Sequence, residues 1–180
     1  MARSLKPLAA LLPWRRNQPQ ADELYGAIVA RARLPVFYQG FGVPDTLEGR
    51  FVVLSLHLFA VLHRLNPGSA HAREMAQELA DRFTADMETV LRELGVSDLR
   101  IPKKVRGLAA SGATLLQDYE DAFSKGQGAL ATAIAHALPP DATSEAASGQ
   151  LAPYLVAVVR HLEAQPLQDV CAGMLKLPEP

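Results

Sequence analysis

Residues 34–51, LPVFYQGFGVPDTLEGRF, lead directly into residues 52–62, VVLSLHLFAVL, and these two segments decide the fold. The first is short, aromatic and rich in glycine and proline, which is typical of a loop. The second is apolar on almost every side, as expected for a helix in the middle of a bundle. Neither segment contains an obvious set of catalytic side chains. Together they predict a shaped loop packed onto a buried helix.

The spacing of apolar residues is helical almost throughout the chain, and no run alternates as a strand would. We predict an all-α, single-domain bundle of about six or seven helices. The first helix, over residues 22–33, is ended by Pro35 because proline disfavours helical geometry in the preceding residue. The second begins at Asp45, which forms a capping-box-like pair with Glu48.

The remaining helices are predicted from their caps and their apolar stripes. Ser69 caps a third helix, whose buried stripe ends with Leu94. A fourth helix begins near Pro102, since proline suits the first turn, and a weaker helix follows it. Residues 139–149 are polar and small, which is typical of a linker. The last strong helix then begins near Pro153.

These boundaries divide the chain into three parts: an N-terminal tail (1–20), a helical core (21–126) and a C-terminal helical extension that packs on the core (127–180). In the tail, Trp14, Arg15 and Arg16 follow a few leucines that share one helical face, a weak indication of contact with a membrane surface. The alternative is a frayed tail. The pattern of a secretory signal peptide is missing, because no small-residue cleavage site follows.

Composition sets the broad class of protein. An apolar fraction of 49% and a charged fraction of 21% are ordinary for a globular protein. The net charge of -1 provides no overall attraction to nucleic acid or to acidic membranes, so any electrostatic site must be local, and we predict no binding to DNA. The single cysteine, Cys171, cannot form an internal disulfide, and its apolar neighbours predict a buried thiol. We therefore predict a protein of a reducing compartment.

The sequence contains no pattern typical of catalysis or of metal binding. No two of the five histidines are spaced three or four residues apart, so none form a helical metal site. His57 is predicted to be a hydrogen-bonded histidine in the interior or at its edge. The carboxylates Asp81, Asp86 and Glu88 lie largely opposite the leucines of their helix, which favours a solvated face. We predict no cofactor, no metal, no catalytic residue and no enzymatic activity.

A basic corner is the first candidate site. Four cations surround the start of the fourth helix, where positive charge opposes the helix dipole: Arg100, Lys103, Lys104 and Arg106. Cations beside unpaired backbone N–H groups predict an anion-binding site. The candidate anions are phosphate, a lipid headgroup, ribosomal RNA, a haem propionate and an acidic partner segment. The alternative is a solvated charge run or a set of salt bridges to the acidic helices.

The aromatic loop is the second candidate site. Phe37, Tyr38 and Phe41 either fold inward as a lid on the core or lie partly open as an anchor for a partner. We expect them to be mostly buried. Arg50 either clamps this loop through a salt bridge or carbonyl contacts, or it faces outward.

The chain resembles the ubiquinol–cytochrome c chaperone family, from about residue 24 to residue 123. The resemblance rests on short motifs that recur in order across three helices: Phe37-Tyr38, Gly42-Val43-Pro44-Asp45-Thr46, Gly49-Arg50-Phe51, Leu56-His57, Asp86-Met87, Leu91-Arg92-Glu93-Leu94-Gly95-Val96, Asp98-Leu99 and Pro102-Lys103-Lys104-Val105. Beyond residue 125 the chain matches the family only in its general helical character.

The resemblance implies an assembly factor for the respiratory bc1 complex, in a bacterial relative of the mitochondrial proteins. It also implies a cytoplasmic location, peripheral to the inner membrane. Such chaperones bind newly made cytochrome b near the ribosome, together with a second small assembly factor. The resemblance implies that the basic corner contacts the ribosome, the membrane surface or client loops. It also implies that Phe37, Tyr38 and Phe41 shape the client surface. An alternative is a helical binding protein for an apolar ligand such as a quinone, a lipid or haem.

Overall fold

The chain folds into a bundle of helices. The computed structural model describes residues 19–97, 99–140 and 144–180, and within these residues it contains seven α-helices, one π-helical turn and no β-strand. The prediction of an all-α, single-domain bundle is confirmed. The elements are α1 (Pro19–Ala32), the π-helical turn (Val36–Gly40), α2 (Leu47–Leu65), α3 (Ala70–Glu93), α4 (Ile101–Lys125), α5 (Gln127–Ala137), α6 (Ser144–Ala164) and α7 (Leu167–Cys171).

Helix α2 occupies the centre of the bundle. Helices α1, α3, α4 and α6 all pack against it. Leu56 and Phe59 are almost completely buried, and so is the polar His57. Because other helices cover α2 on all sides, this helix needs no polar face toward solvent. Each fully buried leucine stabilises the fold by about 1.5–3 kcal/mol. The prediction of a buried central helix is confirmed.

The start of α2 differs from the prediction by one residue. The cap is Thr46, whose hydroxyl accepts a hydrogen bond from the backbone N–H of Gly49 at 3.2 Å. Asp45 was therefore the wrong cap, because its carboxylate turns outward to accept a hydrogen bond from Arg50. The cap of α3 was predicted correctly, since the Ser69 hydroxyl accepts from the N–H of Ala72 at 3.2 Å.

The segment from residue 34 to residue 46 is more regular than a loop. Residues 36–40 form one π-helical turn, closed by a hydrogen bond from Phe41 N–H to the Val36 carbonyl at 2.9 Å. Gly42 follows with φ +77°, a conformation that favours glycine. The prediction of a loop here was wrong only for residues 36–40, which bond their own backbone in a helical turn, while residues 41–46 connect that turn to α2 without regular structure.

Helix α6 was predicted with the wrong start. It begins at Ser144, inside the predicted linker, and Pro153 lies in its middle instead of at its first turn. A proline inside a helix removes one backbone hydrogen bond at a cost of about 3 kcal/mol. Burial offsets that cost, because Leu151, Leu155 and other residues of α6 are buried where the helix packs against α2 and α5. Residues 141–143 of the predicted linker lie outside the described residues.

The C-terminal helices share the core of the bundle. α6 packs against α2, and α5 packs against α4 and α6. The chain after α7 follows α1, where the Arg31 guanidinium donates to the Leu177 carbonyl at 3.0 Å. The division of the chain at residue 126 stays a prediction. No helix in the described part of the chain is long and apolar enough to cross a membrane.

Candidate binding surface

An open groove lies at one end of the bundle. It is formed by the end of α1, the π-helical turn, the start of α2, the last turns of α3 and the end of α5, and its volume is about 880 Å³. Most of its lining is apolar: Val29, Ala32, Pro35, Leu47, Phe51, Leu54, Met87, Val90, Leu91, Leu94 and Ala137. The groove is a cleft that is partly open to solvent.

Two leucines project from the walls of this groove into solvent. Leu47, on the first turn of α2, is 52% exposed, and Leu94, just after α3, is 59% exposed. The apolar spacing predicted that Leu94 belongs to the buried stripe of its helix, which was wrong because α3 ends at Glu93, before this side chain can turn inward. Exposed leucines beside an apolar groove are typical of a surface that binds another protein.

Charged and polar groups form the rim of the groove. Arg50 Nε donates to Asp45 Oδ1 at 2.6 Å, and this hydrogen bond lowers the pKa of Asp45. Arg50 thus clamps the segment before α2 through a salt bridge, while its own side chain stays 63% exposed. On the opposite wall, Tyr25 donates its hydroxyl proton to Asp86 Oδ2 at 2.8 Å. Asp86 was predicted to be solvated, and it instead joins α1 to α3.

The aromatic loop is packed into the core from beneath the groove. Phe37 is completely buried, and its ring contacts Phe41 at 5.6 Å, His57 at 5.4 Å and Tyr154 at 5.3 Å between ring centroids. Phe37 therefore cannot touch a partner directly. Its contribution to the surface is to hold the π-helical turn against α2 and α6.

Tyr38 and Phe41 are only partly buried. The Tyr38 hydroxyl donates to the Ala32 carbonyl at 2.7 Å, which satisfies an unpaired carbonyl at the end of α1, and the Tyr38 ring lines the groove. Phe41 lies against Phe37 and Tyr154 and does not line the groove. Of the four predicted residues in this region, Tyr38 and Arg50 thus reach the groove.

His57 is a hydrogen-bonded histidine of the interior, as predicted. Its Nδ1–H donates to the Val53 carbonyl at 2.8 Å, because a carbonyl can only accept, so Nε2 accepts from the Tyr154 hydroxyl at 2.9 Å. Burial lowers the pKa of His57 from 6.5 to about 4. The Val53 carbonyl opposes this shift and Arg31 adds to it. The ring is neutral at pH 7, and both of its nitrogens are occupied.

The basic corner stands apart from the groove floor. Arg100, Lys103, Lys104 and Arg106 are all exposed, and none of them forms an ion pair within the described residues. The salt bridges to acidic helices that were the alternative are therefore not formed there. Arg100 precedes α4 without a side-chain cap. The corner meets the groove at the chain after α3, where Leu94 lines one end of the groove.

Within the described residues, no three His, Cys, Asp or Glu side chains converge to hold a metal ion. Cys171 is buried, and burial raises the pKa of its thiol, which is the opposite of what a nucleophile needs. An all-helical bundle with an open apolar groove and a separate basic corner belongs to the class of proteins that bind other macromolecules.

The comparisons with known proteins identify the family within this class. The family model described as ubiquinol–cytochrome C chaperone matches residues 39–177. The chain belongs to the ubiquinol–cytochrome c chaperone family. The match extends through α6 to the C-terminal segment, so the resemblance seen in the sequence, which stopped near residue 123, was drawn too short.

One solved structure shows the same fold. It is the crystal structure of the Cbp3 homolog from Brucella abortus, which is 33% identical to this chain, covers 91% of each of the two chains and superposes with a TM-score of 0.82. No curated protein sequence matches this chain.

Sequence reasoning did not find the groove. Its walls come from five elements that are far apart in the chain, and Leu47 and Leu94 look like ordinary members of apolar stripes. One signal was present for Leu47: it lies directly after the cap of α2, before the apolar stripe of that helix begins at Phe51.

Proposed function

We propose that this chain is a non-enzymatic chaperone for the assembly of ubiquinol–cytochrome c reductase, the bc1 complex, and that it binds newly made cytochrome b. The observation that carries the proposal is the open apolar groove with Leu47 and Leu94 exposed on its walls. Cytochrome b is a membrane protein, so its unassembled segments present apolar side chains that need cover. The groove provides that cover without enclosing the client.

The rim of the groove supports reversible binding. Arg33, Arg50, Glu48 and Asp45 stand around an apolar floor, so charged residues that flank an apolar client segment find partners at the edge. Exposed ion pairs add little to affinity and mainly select orientation. The apolar floor therefore supplies the binding free energy, and the rim selects the direction of the segment.

We further propose that the chaperone works at the cytoplasmic face of the inner membrane, together with a second assembly factor and near the ribosome, and that it does not bind DNA. The basic corner is the electrostatic contact in this proposal. Phe37, Tyr38 and Phe41 shape the client surface by supporting the groove wall, and only Tyr38 among them lines the groove.

A helical carrier for a quinone, a lipid or haem is the second candidate function. The apolar groove supports it, because small-molecule sites are mostly apolar clefts or cavities of about 300–1,000 Å³. The exposed Leu47 and Leu94 on its walls instead favour a protein partner. His57, the histidine nearest the aromatic loop, has both ring nitrogens in hydrogen bonds and offers none to a haem iron. A carrier would copurify with a chromophore or a lipid in a one-to-one ratio, which absorbance and mass spectrometry of the purified protein would detect.

Deletion of the gene is expected to lower cytochrome b and bc1 activity in membranes. The reason is that an unassembled apolar client is lost to aggregation and proteolysis when nothing covers it. The measurements are the haem b difference spectrum and ubiquinol–cytochrome c reductase activity, with succinate dehydrogenase as an unrelated control. Normal haem b spectra and normal bc1 levels would exclude the assembly role.

Replacement of both groove leucines, Leu47→Ser with Leu94→Ser, is expected to weaken client binding on the order of tenfold. Both side chains are more than half exposed, so the fold is expected to survive the change. The measurement is the capture of newly made cytochrome b by the tagged chaperone. Met174→Ser is the matched control, because Met174 is 54% exposed and does not line the groove. Equal loss in the control would argue against the groove.

A further inference from the structure

The connection between α3 and α4 exposes an apolar side chain beside a cluster of cations. Leu99 is 95% exposed, more than any other large apolar side chain in the described part of the chain. Single exposed leucines are common on protein surfaces and need no explanation by themselves. Leu99 differs because Arg100 follows it directly and Lys103 and Lys104 lie within the first turn of α4.

The charge around Leu99 is strongly polarised along α4. At 100° per residue, Arg100, Lys103 and Lys104 fall within one arc of about 100°, while the buried Ile101 lies outside it. No acidic residue follows on α4 until Asp118, roughly 20 Å further along the helix axis. In the sequence, Asp98 offsets one of the cations. The corner is therefore positive although the whole chain carries a net charge of -1.

We propose that this corner docks on an anionic lipid membrane, with Leu99 entering the interface and Arg100, Lys103, Lys104 and Arg106 lying over the headgroups. Stable attachment to a membrane takes two signals, an apolar insertion and a set of basic residues, and the corner combines both. A nucleic-acid backbone attracts the same cations but has no place for an isolated aliphatic side chain, since bases stack on aromatic or guanidinium planes. Leu99 therefore favours the membrane over RNA.

Docking at this corner places the groove beside the membrane. Leu94 lines the groove and belongs to the same connection as Leu99, five residues along the chain. The acidic residues near the far end of α4, Asp118, Glu120 and Asp121, are repelled by an anionic surface and keep that end away. The biological role of this orientation, the transfer of a membrane client, rests on the proposed chaperone function. Lipid binding itself is independent of that function.

The experiment is flotation of the purified full-length chain with phosphatidylcholine vesicles that contain either no anionic lipid or 30 mol% phosphatidylglycerol, a roughly cell-like fraction. We expect binding to the anionic vesicles only, and weaker binding at high salt. Lys103→Glu with Lys104→Glu is expected to reduce the binding on the order of tenfold or more. Leu99→Ser is expected to reduce it roughly fivefold.

Two variants with the same net charge as the corner variant separate this site from its rivals. Lys125→Glu with Lys176→Glu changes exposed lysines outside the corner and is expected to retain binding. Arg15→Glu with Arg16→Glu tests the rival membrane contact predicted for Trp14, Arg15 and Arg16, which lie outside the described residues. This variant is also expected to retain binding. The proposal is overturned if the tail variant abolishes binding while the corner variant retains it, or if neither vesicle binds. It is also overturned if Leu99→Ser binds as tightly as the unmodified chain. Client capture measured in parallel shows whether the chaperone function persists, so the two proposals fail separately.

Discussion

Replacement of Gly49 by alanine is expected to lower the free energy of unfolding by about 3 kcal/mol. Gly49 lies in the first turn of α2, and its backbone N–H is the donor to the Thr46 cap. A Cβ atom at this position would overlap with the carbonyl oxygen of Pro44 and press on the Val43 side chain. The Pro44 carbonyl cannot retreat easily, because it accepts the N–H of Thr46 at 2.8 Å in the turn before the helix.

Gly26 offers a matched control for this change. It lies inside α1, is exposed, and an added Cβ atom meets nothing within 4 Å. Gly26→Ala is therefore expected to stabilise the protein by up to about 1 kcal/mol, the ordinary gain in helix propensity. Urea unfolding followed by circular dichroism at 222 nm measures both. A Gly49→Ala protein as stable as the Gly26→Ala protein would show that the segment before α2 yields at little cost.

Acidification from pH 7 to pH 5 is expected to lower the free energy of unfolding by about 2 kcal/mol through His57 alone. The pKa of His57 is about 4 in the folded protein and 6.5 in the unfolded chain. Between these two values the unfolded state binds the additional proton, so stability falls as the pH falls through this window. The loss is complete only below pH 4. Protonation would also force Nε2 to donate toward a hydroxyl that now donates to it.

The contribution of His57 is isolated by comparing two variants. His57→Gln is expected to be less stable at pH 7, because it disturbs the link between α2 and α6, but to lose less on acidification. His161→Gln changes an exposed histidine of α6 and should keep the full loss, since His57 is still in place. NMR titration gives a direct reading. A His57 ring that gains its proton near pH 6.5 would contradict the assigned burial.

The first and second predictions concern residues of the motifs by which the family resemblance was found. Gly49, Val43 and Pro44 meet at the start of α2, and Phe37 packs on His57. Val43, Phe37 and His57 are buried behind the residues that line the groove, and they support those residues by packing. The motifs are therefore best explained as architecture that holds a binding surface, and the surface residues Leu47 and Leu94 stand at its edges.

Local chemistry made much of the fold predictable. The apolar run of α2, the Ser69 cap and the glycine after α3, with φ +76°, were all visible in the chain. The errors arose where two local signals competed. Asp45 and Thr46 are both good caps, so neighbouring residues alone did not settle which of them begins α2. Proline normally marks a helix start, so Pro153 suggested a later start of α6 than the true one.

By itself, the sequence determined an all-helical bundle, a buried central helix and a basic corner, because periodicity, caps and charge are properties of neighbouring residues. Only the tertiary structure decided that Thr46 is the cap, since the Asp45 carboxylate is bonded to Arg50 instead. It also decided that α6 runs through Pro153, since long-range burial outweighs a local cost of about 3 kcal/mol. The groove was likewise settled only in three dimensions. Its walls come from residues 29 to 137, and the exposure of Leu47 and Leu94 depends on which neighbours fail to cover them.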